Sequence, residues 1–106
     1  MQMVRINGKE YPFQYGYGAL MLVEQASGKA CDELKGIGAV VLILLACLWN
    51  ADKNCDITMD GFLKAIDTDP TLYPRLYKLY KAQEEVFTMG AEAVKEEDSK
   101  KKESQP

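Results

Sequence analysis

The chain has 106 residues, 47% of them hydrophobic, which predicts one domain with a core of its own. Its formal net charge of −3 argues against nucleic acid as a direct partner, because phosphate binding needs a basic surface. It contains no histidine, the commonest general base and metal ligand, and its three cysteines include no C-x-x-C pair, which argues against a zinc ribbon or a disulfide framework.

Residues 4–13 predict a β-hairpin around Asn7-Gly8. Asn-Gly between two alternating runs favours a two-residue type I′ turn, in which both central residues take positive φ. With that loop, Arg5 faces Glu10. The other face carries Val4, Ile6, Tyr11 and Phe13. Because two strands are marginal alone, this apolar face is expected to pack on helices or to pair with another copy.

A glycine-rich connector leads from the hairpin into a first predicted helix at residues 18–27. Gly28 stands where a left-handed C-cap belongs. Residues 30–36 predict a short helical turn with Asp32 near its start. The connection to the next segment is broken by Gly36 and Gly38, which leave the beginning of the second helix open.

Residues 39–49 are all apolar. The run is too short for a membrane span, which needs roughly 18 residues, so no membrane contact is expected. Its length favours a buried helix over a buried strand. We expect this helix to be central in the fold or to pack against a partner.

Two further helices are predicted after residue 56. Thr58 is the expected N-cap of the first, with Ile57 and Phe62 as a hydrophobic staple. Asp69-Pro70 predicts the start of the last helix. Its continuous part is expected from about residue 74, because the proline there would cost an interior hydrogen bond, and fraying is expected past residue 90.

The predicted fold is mainly α with a small N-terminal β-hairpin, an α+β arrangement of four to five helices. Residues 1–91 are expected to form a single domain, with the hairpin at about residues 3–14. Residues 92–106 are predicted to be a flexible tail, because nine of these fifteen residues are charged and bury too little apolar surface to offset the ordering entropy.

The sequence offers little support for catalysis or for binding of a metal ion or cofactor. Residues 52–63 begin like an EF-hand calcium loop, but Ile57 stands where glycine is needed and Leu63 where a bidentate glutamate belongs. The glycine pairs do not continue into a nucleotide-binding motif, so no cofactor is expected. Without a nucleophile and base, no catalytic residue, metal ligand or small-molecule substrate is assigned, and the protein is not expected to be an enzyme.

The last helix carries two adjacent stripes at helical spacing. One consists of Leu72, Leu76, Leu79, Gln83 and Val86, the other of Tyr73, Tyr77, Tyr80, Glu84 and Phe87. In one interpretation the leucines face the core and the tyrosines border it. In the other, the tyrosine stripe docks an apolar segment of a partner, as aromatic residues do at interaction hot spots. The candidate partner-binding residues are Tyr73, Tyr77, Tyr80 and Phe87, with Leu44 and Leu48 from the apolar helix.

The order of these elements resembles that of the small tail assembly chaperones of long-tailed bacteriophages and prophages. Shared features are the hairpin at residues 6–13, a Gly-Ala-Leu helix ending in Ser27-Gly28-Lys29, an acidic turn at 32–34, an apolar helix, an Ile-Thr-initiated helix and a last helix after Asp-Pro. The resemblance covers roughly residues 3–88 and rests on turn and cap motifs.

The resemblance implies a non-catalytic chaperone that binds the aggregation-prone tape-measure protein, and assists the tail-tube subunits, in the host cytoplasm without entering the mature virion. A cytoplasmic location agrees with the odd number of cysteines and with the lack of a signal-like first segment. The alternative function is a small helical adaptor or regulator that forms a homo-oligomer through its apolar helix.

Overall fold

The computed structural model describes residues 2–103, with side chains described as far as residue 93. Strands β1 (Gln2–Ile6) and β2 (Lys9–Phe13) are followed by helix α1 (Tyr17–Ser27). A single 3-10 turn (Cys31–Glu33) leads to α2 (Ile37–Ala51), α3 (Met59–Thr68) and α4 (Leu72–Glu103). The described chain is mostly helical with a two-stranded antiparallel hairpin at its start, as the sequence predicts.

The hairpin has the predicted turn and register. Asn7 and Gly8 have φ values of 53° and 78°, the positive pair that a type I′ turn requires. Arg5 stands opposite Glu10, and their side chains form an exposed ion pair at 3.2 Å. The opposite face is apolar and turned inwards, with Val4, Ile6 and Phe13 buried and Tyr11 half-buried. The hairpin thus packs on the helices, one of the two outcomes that its sequence allowed.

Helix α2 is the central element. It contacts β2, α1, α3 and α4, and it buries six of its residues: Val41, Leu44, Leu45, Ala46, Cys47 and Leu48. Burial on several sides explains why the run lacks a polar face. The helix begins before this run, at Ile37, after Gly36 turns the chain with a φ of 84°. The prediction of a central helix is therefore confirmed.

The first helix packs on α2 through a close backbone approach. Gly18 lies against the Asn50 side chain so closely that a β-carbon there would overlap the Asn50 Oδ1 atom. The Asn50 amide in turn donates to the Gln14 carbonyl at 3.0 Å. At the other end, Gly28 has a φ of 71° and donates its N–H to the Glu24 carbonyl at 2.9 Å, which is the predicted C-cap.

Helix α3 begins as predicted. The Thr58 Oγ1 atom accepts a hydrogen bond from the Gly61 N–H at 3.1 Å. Phe62 is buried, and half-buried Ile57 packs against the same core. The loop before the cap is held by Trp49, whose Nε1–H donates to the Ile57 carbonyl at 2.8 Å.

Helix α4 begins two residues before the predicted start of its continuous part. The Asp69 Oδ1 atom accepts the Thr71 N–H at 2.9 Å, and Asp69 pairs with Arg75 at 3.0 Å. The helix starts at Leu72, so Pro74 is its third residue. The expectation of a start near Pro74 is wrong because the first four helical N–H groups have no intrahelical partner in any case, and proline costs nothing there.

The backbone of α4 continues to Glu103. The flexible tail predicted for residues 92–106 lies largely outside the described residues, because side chains are described only as far as residue 93 and the backbone as far as residue 103. Within the described part of the chain, no helix combines the length and apolarity needed to cross a bilayer.

Candidate partner-binding site

A cluster of aromatic side chains joins the hairpin, α1 and α4. The Tyr15 ring, just after β2, lies with its centroid 5.4 Å from that of Tyr80 and 5.6 Å from that of Phe87. The Tyr17 ring, at the start of α1, meets Phe87 edge-on at 4.7 Å. Tilted and edge-to-face contacts are the arrangements that aromatic pairs prefer. The middle of α4 is therefore anchored to the segment between the hairpin and α1.

Gln83 adds a polar clamp to this cluster. Its Oε1 atom accepts the Tyr15 N–H at 2.6 Å, and its Nε2–H donates to the Phe13 carbonyl at 3.3 Å. Both backbone groups belong to the end of β2 and the connector, where no further strand can pair with them. A side chain from α4 thus completes the hydrogen bonding of the hairpin exit and positions Tyr15.

An open groove of about 850 Å³ lies beside the cluster, and we call it the aromatic groove. Its walls include Tyr15, Tyr17, Ala82, Val86, Phe87 and Gly90. Tyr17 is 71% exposed and Val86 is 70% exposed, although both are large apolar side chains. The groove therefore presents apolar surface that no other part of the described chain covers.

The four predicted binding residues of α4 have different environments. Tyr80 is buried, and its hydroxyl donates to Glu84 Oε2 at 2.7 Å. Phe87 is half-buried between Tyr15 and Tyr17, where it forms one wall of the groove. Tyr73 is also half-buried, and Tyr77 is 39% exposed and stacks on it at 6.0 Å. Phe87 and Tyr77 thus offer surface to a partner, whereas Tyr80 acts within the chain.

The two predicted residues of α2 lie in the core. Leu44 is 0% exposed and Leu48 is 1% exposed. They contact other parts of this chain and present no surface to a partner while the fold is intact. The structure does not bring them together with the exposed part of the tyrosine stripe into one surface site, because both leucines are covered by the rest of the fold.

Three exposed residues stand out that the sequence interpretation did not select: Tyr17, Val86 and Met89, the last 61% exposed. Val86 was placed on the leucine stripe, which was expected to face the core. The helical spacing did not signal the exposure of Val86, because that exposure depends on which side of α4 packs on Tyr15. Tyr17 carried no signal either, since its position depends on how the connector packs on α4.

Tyr80, Glu84 and Lys81 form a short hydrogen-bonded chain on α4. Burial, with the bond to Glu84, raises the pKa of Tyr80 and keeps the phenol protonated. Burial also acts to raise the pKa of Glu84, but hydrogen bonds from Lys81 at 2.6 Å and from Tyr80 outweigh it and leave that pKa below its usual value. The Glu84 carboxylate is therefore ionised and paired.

The loop that resembles the start of an EF-hand is held by its own hydrogen bonds. The Asp52 Oδ1 atom accepts the Asn54 N–H at 2.9 Å, and the Asp52 carbonyl accepts the Cys55 N–H at 3.0 Å. Among the described residues, no group of three or more side chains is arranged to hold a metal ion. The loop is a polar connection that ends at the Thr58 cap.

The aromatic groove thus combines a concave shape with exposed apolar side chains, as binding sites do. Comparison of the chain with protein-family models, with curated proteins and with solved structures finds no match.

Proposed function

We propose that this protein is a non-catalytic tail assembly chaperone that binds the tape-measure protein of a long-tailed phage or prophage in the host cytoplasm. The observation that carries the proposal is the aromatic groove, where Tyr17 and Val86 are each about 70% exposed beside Phe87. A holdase needs such apolar surface on a body that charge keeps in solution. The net charge of −3 and the charged C-terminal segment supply that charge.

The element order supports the same proposal. The resemblance to tail assembly chaperones depends on the Asn7-Gly8 turn, the Gly28 cap and the Thr58 cap, and all three local structures are present. The order hairpin, α1, short turn, apolar α2, α3 and α4 is also present. Assistance to the tail-tube subunits, and absence from the mature virion, follow from the resemblance alone.

A self-associating adaptor is the second candidate. The sequence assigned self-association to the apolar helix, but α2 buries its central residues inside the chain. A homo-oligomer would therefore have to use exposed apolar surface instead, such as the aromatic groove or the exposed part of α4. Sedimentation of the purified chain tests the adaptor, because an adaptor of this kind self-associates in the absence of any other protein and a monomer excludes it.

Co-expression with the tape-measure protein tests the chaperone proposal. Tyr17→Ser and Val86→Ser remove exposed groove side chains without opening the core. Each is expected to weaken capture about ten- to hundredfold, because full burial of one such side chain is worth about 1.5–3 kcal/mol. Ile37→Ser is the matched control, because Ile37 is 67% exposed and does not line the groove.

The three possible outcomes are distinct. Soluble tape-measure protein that co-purifies with the wild-type chain and with Ile37→Ser, but not with the groove variants, supports the proposal. No capture by the wild-type chain refutes the chaperone function. Equal capture by all variants refutes the assignment of the groove.

A further inference from the structure

Helix α4 carries apolar residues beyond the part that the domain covers. Phe87 is the last α4 residue that packs in the aromatic cluster, and every residue from 88 to 93 is exposed. Met89 is 61% exposed. A helical segment without tertiary contacts is marginal in water, because most helical stability in proteins comes from packing of an apolar face. This part of α4 therefore lacks a packing partner within the described chain.

The exposed apolar residues follow the spacing of a helix-packing seam. Four residues recur at intervals of four, three and four: Ala82, Val86, Met89 and Ala93. All four are exposed, and we call them the α4 stripe. This is the spacing at which two helices pack side by side. The stripe is continuous with the aromatic groove, since Ala82 and Val86 line both.

One edge of the α4 stripe is acidic. Glu85 and Glu92 each precede a stripe residue directly, so they lie seven residues apart along the same edge. Both are exposed, and neither forms an ion pair with another described residue. A depression of about 430 Å³ beside this edge is lined by Glu84, Glu85, Met89 and Glu92, with Lys81 engaged by Glu84.

We infer that the α4 stripe binds an amphipathic helix whose apolar seam is flanked by lysine or arginine. The seam spacing selects a helix, and Glu85 and Glu92 select basic residues at its flank. This inference rests on the proposed function, since it gives the chemistry of the segment that the chaperone holds. That segment lies along α4 with its basic edge over the two glutamates and its largest apolar side chain in the aromatic groove.

A second copy of this chain complements the stripe poorly. An antiparallel copy whose stripe fully overlaps this one places Glu85 opposite Glu92 of the other copy, so that glutamates face glutamates. A parallel copy brings it against the other edge of the stripe, where Gln83 and Gly90 carry no positive charge. With the stripes in full overlap, neither arrangement neutralises Glu85 and Glu92, whereas a helix with a basic edge neutralises both.

Two synthetic helical peptides test the inference with the full chain. Each has leucines at the seam spacing over three heptads, about 21 residues, with lysines along the flanks of one and glutamates along those of the other. Fluorescence anisotropy measures their binding. We expect the lysine peptide to bind at least about tenfold more tightly at low salt, with a difference that shrinks as salt is added, because like charges across an interface oppose binding and salt screens them.

Charge reversal provides the decisive comparison. Glu85→Lys combined with Glu92→Lys is expected to reverse the preference of the chain for the two peptides. The matched control, Glu33→Lys combined with Asp67→Lys, makes the same change in net charge at exposed sites outside α4 and is expected to keep it. Val86→Ser combined with Met89→Ser is expected to weaken binding of both peptides.

The inference is overturned if the wild-type chain does not distinguish the peptides, if its preference survives the charge reversal, or if the stripe variant binds as well as the wild type. It is also overturned if the chain alone forms a dimer that the stripe variant disperses, since a second copy then occupies the stripe. Capture of the tape-measure protein is scored separately. Capture of the tape-measure protein without a peptide preference supports the proposed function and rejects this inference. A peptide preference without capture rejects the tape-measure protein as the partner.

Discussion

Replacement of Gln83 by alanine removes the clamp that ties the hairpin exit to α4. The substitution deletes the bonds to the Tyr15 N–H at 2.6 Å and the Phe13 carbonyl at 3.3 Å. Each neutral hydrogen bond is worth about 0.5–1.5 kcal/mol, so the expected loss in the free energy of unfolding is about 2 kcal/mol. With a urea dependence of about 2 kcal/mol/M, the midpoint of unfolding falls by about 1 M.

The single tryptophan makes this measurement direct. Trp49 is half-buried and bonded to the loop before α3, so its fluorescence reports the loss of the fold. Gln25→Ala is the control, because Gln25 is exposed on α1 and the change in helix propensity is the same. A midpoint for Gln83→Ala equal to that of the control would show that the clamp contributes nothing, and the account of the hairpin exit would fail.

Gln83→Glu separates the two bonds of the clamp. A glutamate still accepts the Tyr15 N–H, but its carboxylate cannot donate to the Phe13 carbonyl. The Phe13 carbonyl and partial burial favour the protonated acid, and we expect them to outweigh the Tyr15 N–H bond, which favours the carboxylate. The pKa of the acid in the folded state then lies above its unfolded value of about 4.3. The stability contributed by the acid is therefore present below pH 4 and is lost as the pH rises, so the deficit of Gln83→Glu against the wild type is expected to grow from pH 4 to pH 7.

Two further predictions concern the packing on α2. Gly38 is the second residue of α2 and has open space around it, so Gly38→Ala is expected to raise the free energy of unfolding by up to about 1 kcal/mol. Gly18 has the equivalent position in α1, but Gly18→Ala displaces Asn50. It is expected to stabilise the fold only when Asn50 is also replaced by alanine. Urea midpoints of the single and double variants check this, and an equal gain for both glycines would contradict it. Burial raises the pKa of Cys47 to about 12, so its stability contribution is complete below the unfolded pKa of about 8.5 and is lost as the pH rises towards 12. Between pH 8 and pH 10 the wild type is expected to lose about 1–2 kcal/mol more than Cys47→Ala, and parallel losses would contradict the assignment.

Local signals predicted the local structure of this chain well. The Asn7-Gly8 turn and the caps at Gly28 and Thr58 depend on residues within a few positions of one another, and all three formed as expected. The Gln83 clamp joins groups 68 and 70 residues apart, and no periodicity in the sequence connects them. The candidate site could not be predicted in full for the same reason, because Tyr17 belongs to it only through its contact with Phe87, which is far away in the sequence.

The buried face of α4 differs from the predicted one for a geometric reason. At 100° per residue, the predicted core stripe of Leu72, Leu76, Leu79, Gln83 and Val86 is centred on the direction of Leu72. Seven residues face inwards, and their centre lies about 40° further round the helix: Leu72, Tyr73, Leu76, Leu79, Tyr80, Gln83 and Phe87.

Contact with Tyr15 accounts for this rotation of the buried face of α4, since the Tyr15 ring packs on both Tyr80 and Phe87. The rotation turns Tyr80 into the core and leaves Val86 about 80° from the centre of the buried face, where it is 70% exposed. A side chain that the sequence pattern assigned to the core thereby becomes part of the surface proposed to bind the partner. The aromatic residue that follows the hairpin thus determines which side of α4 is available for binding.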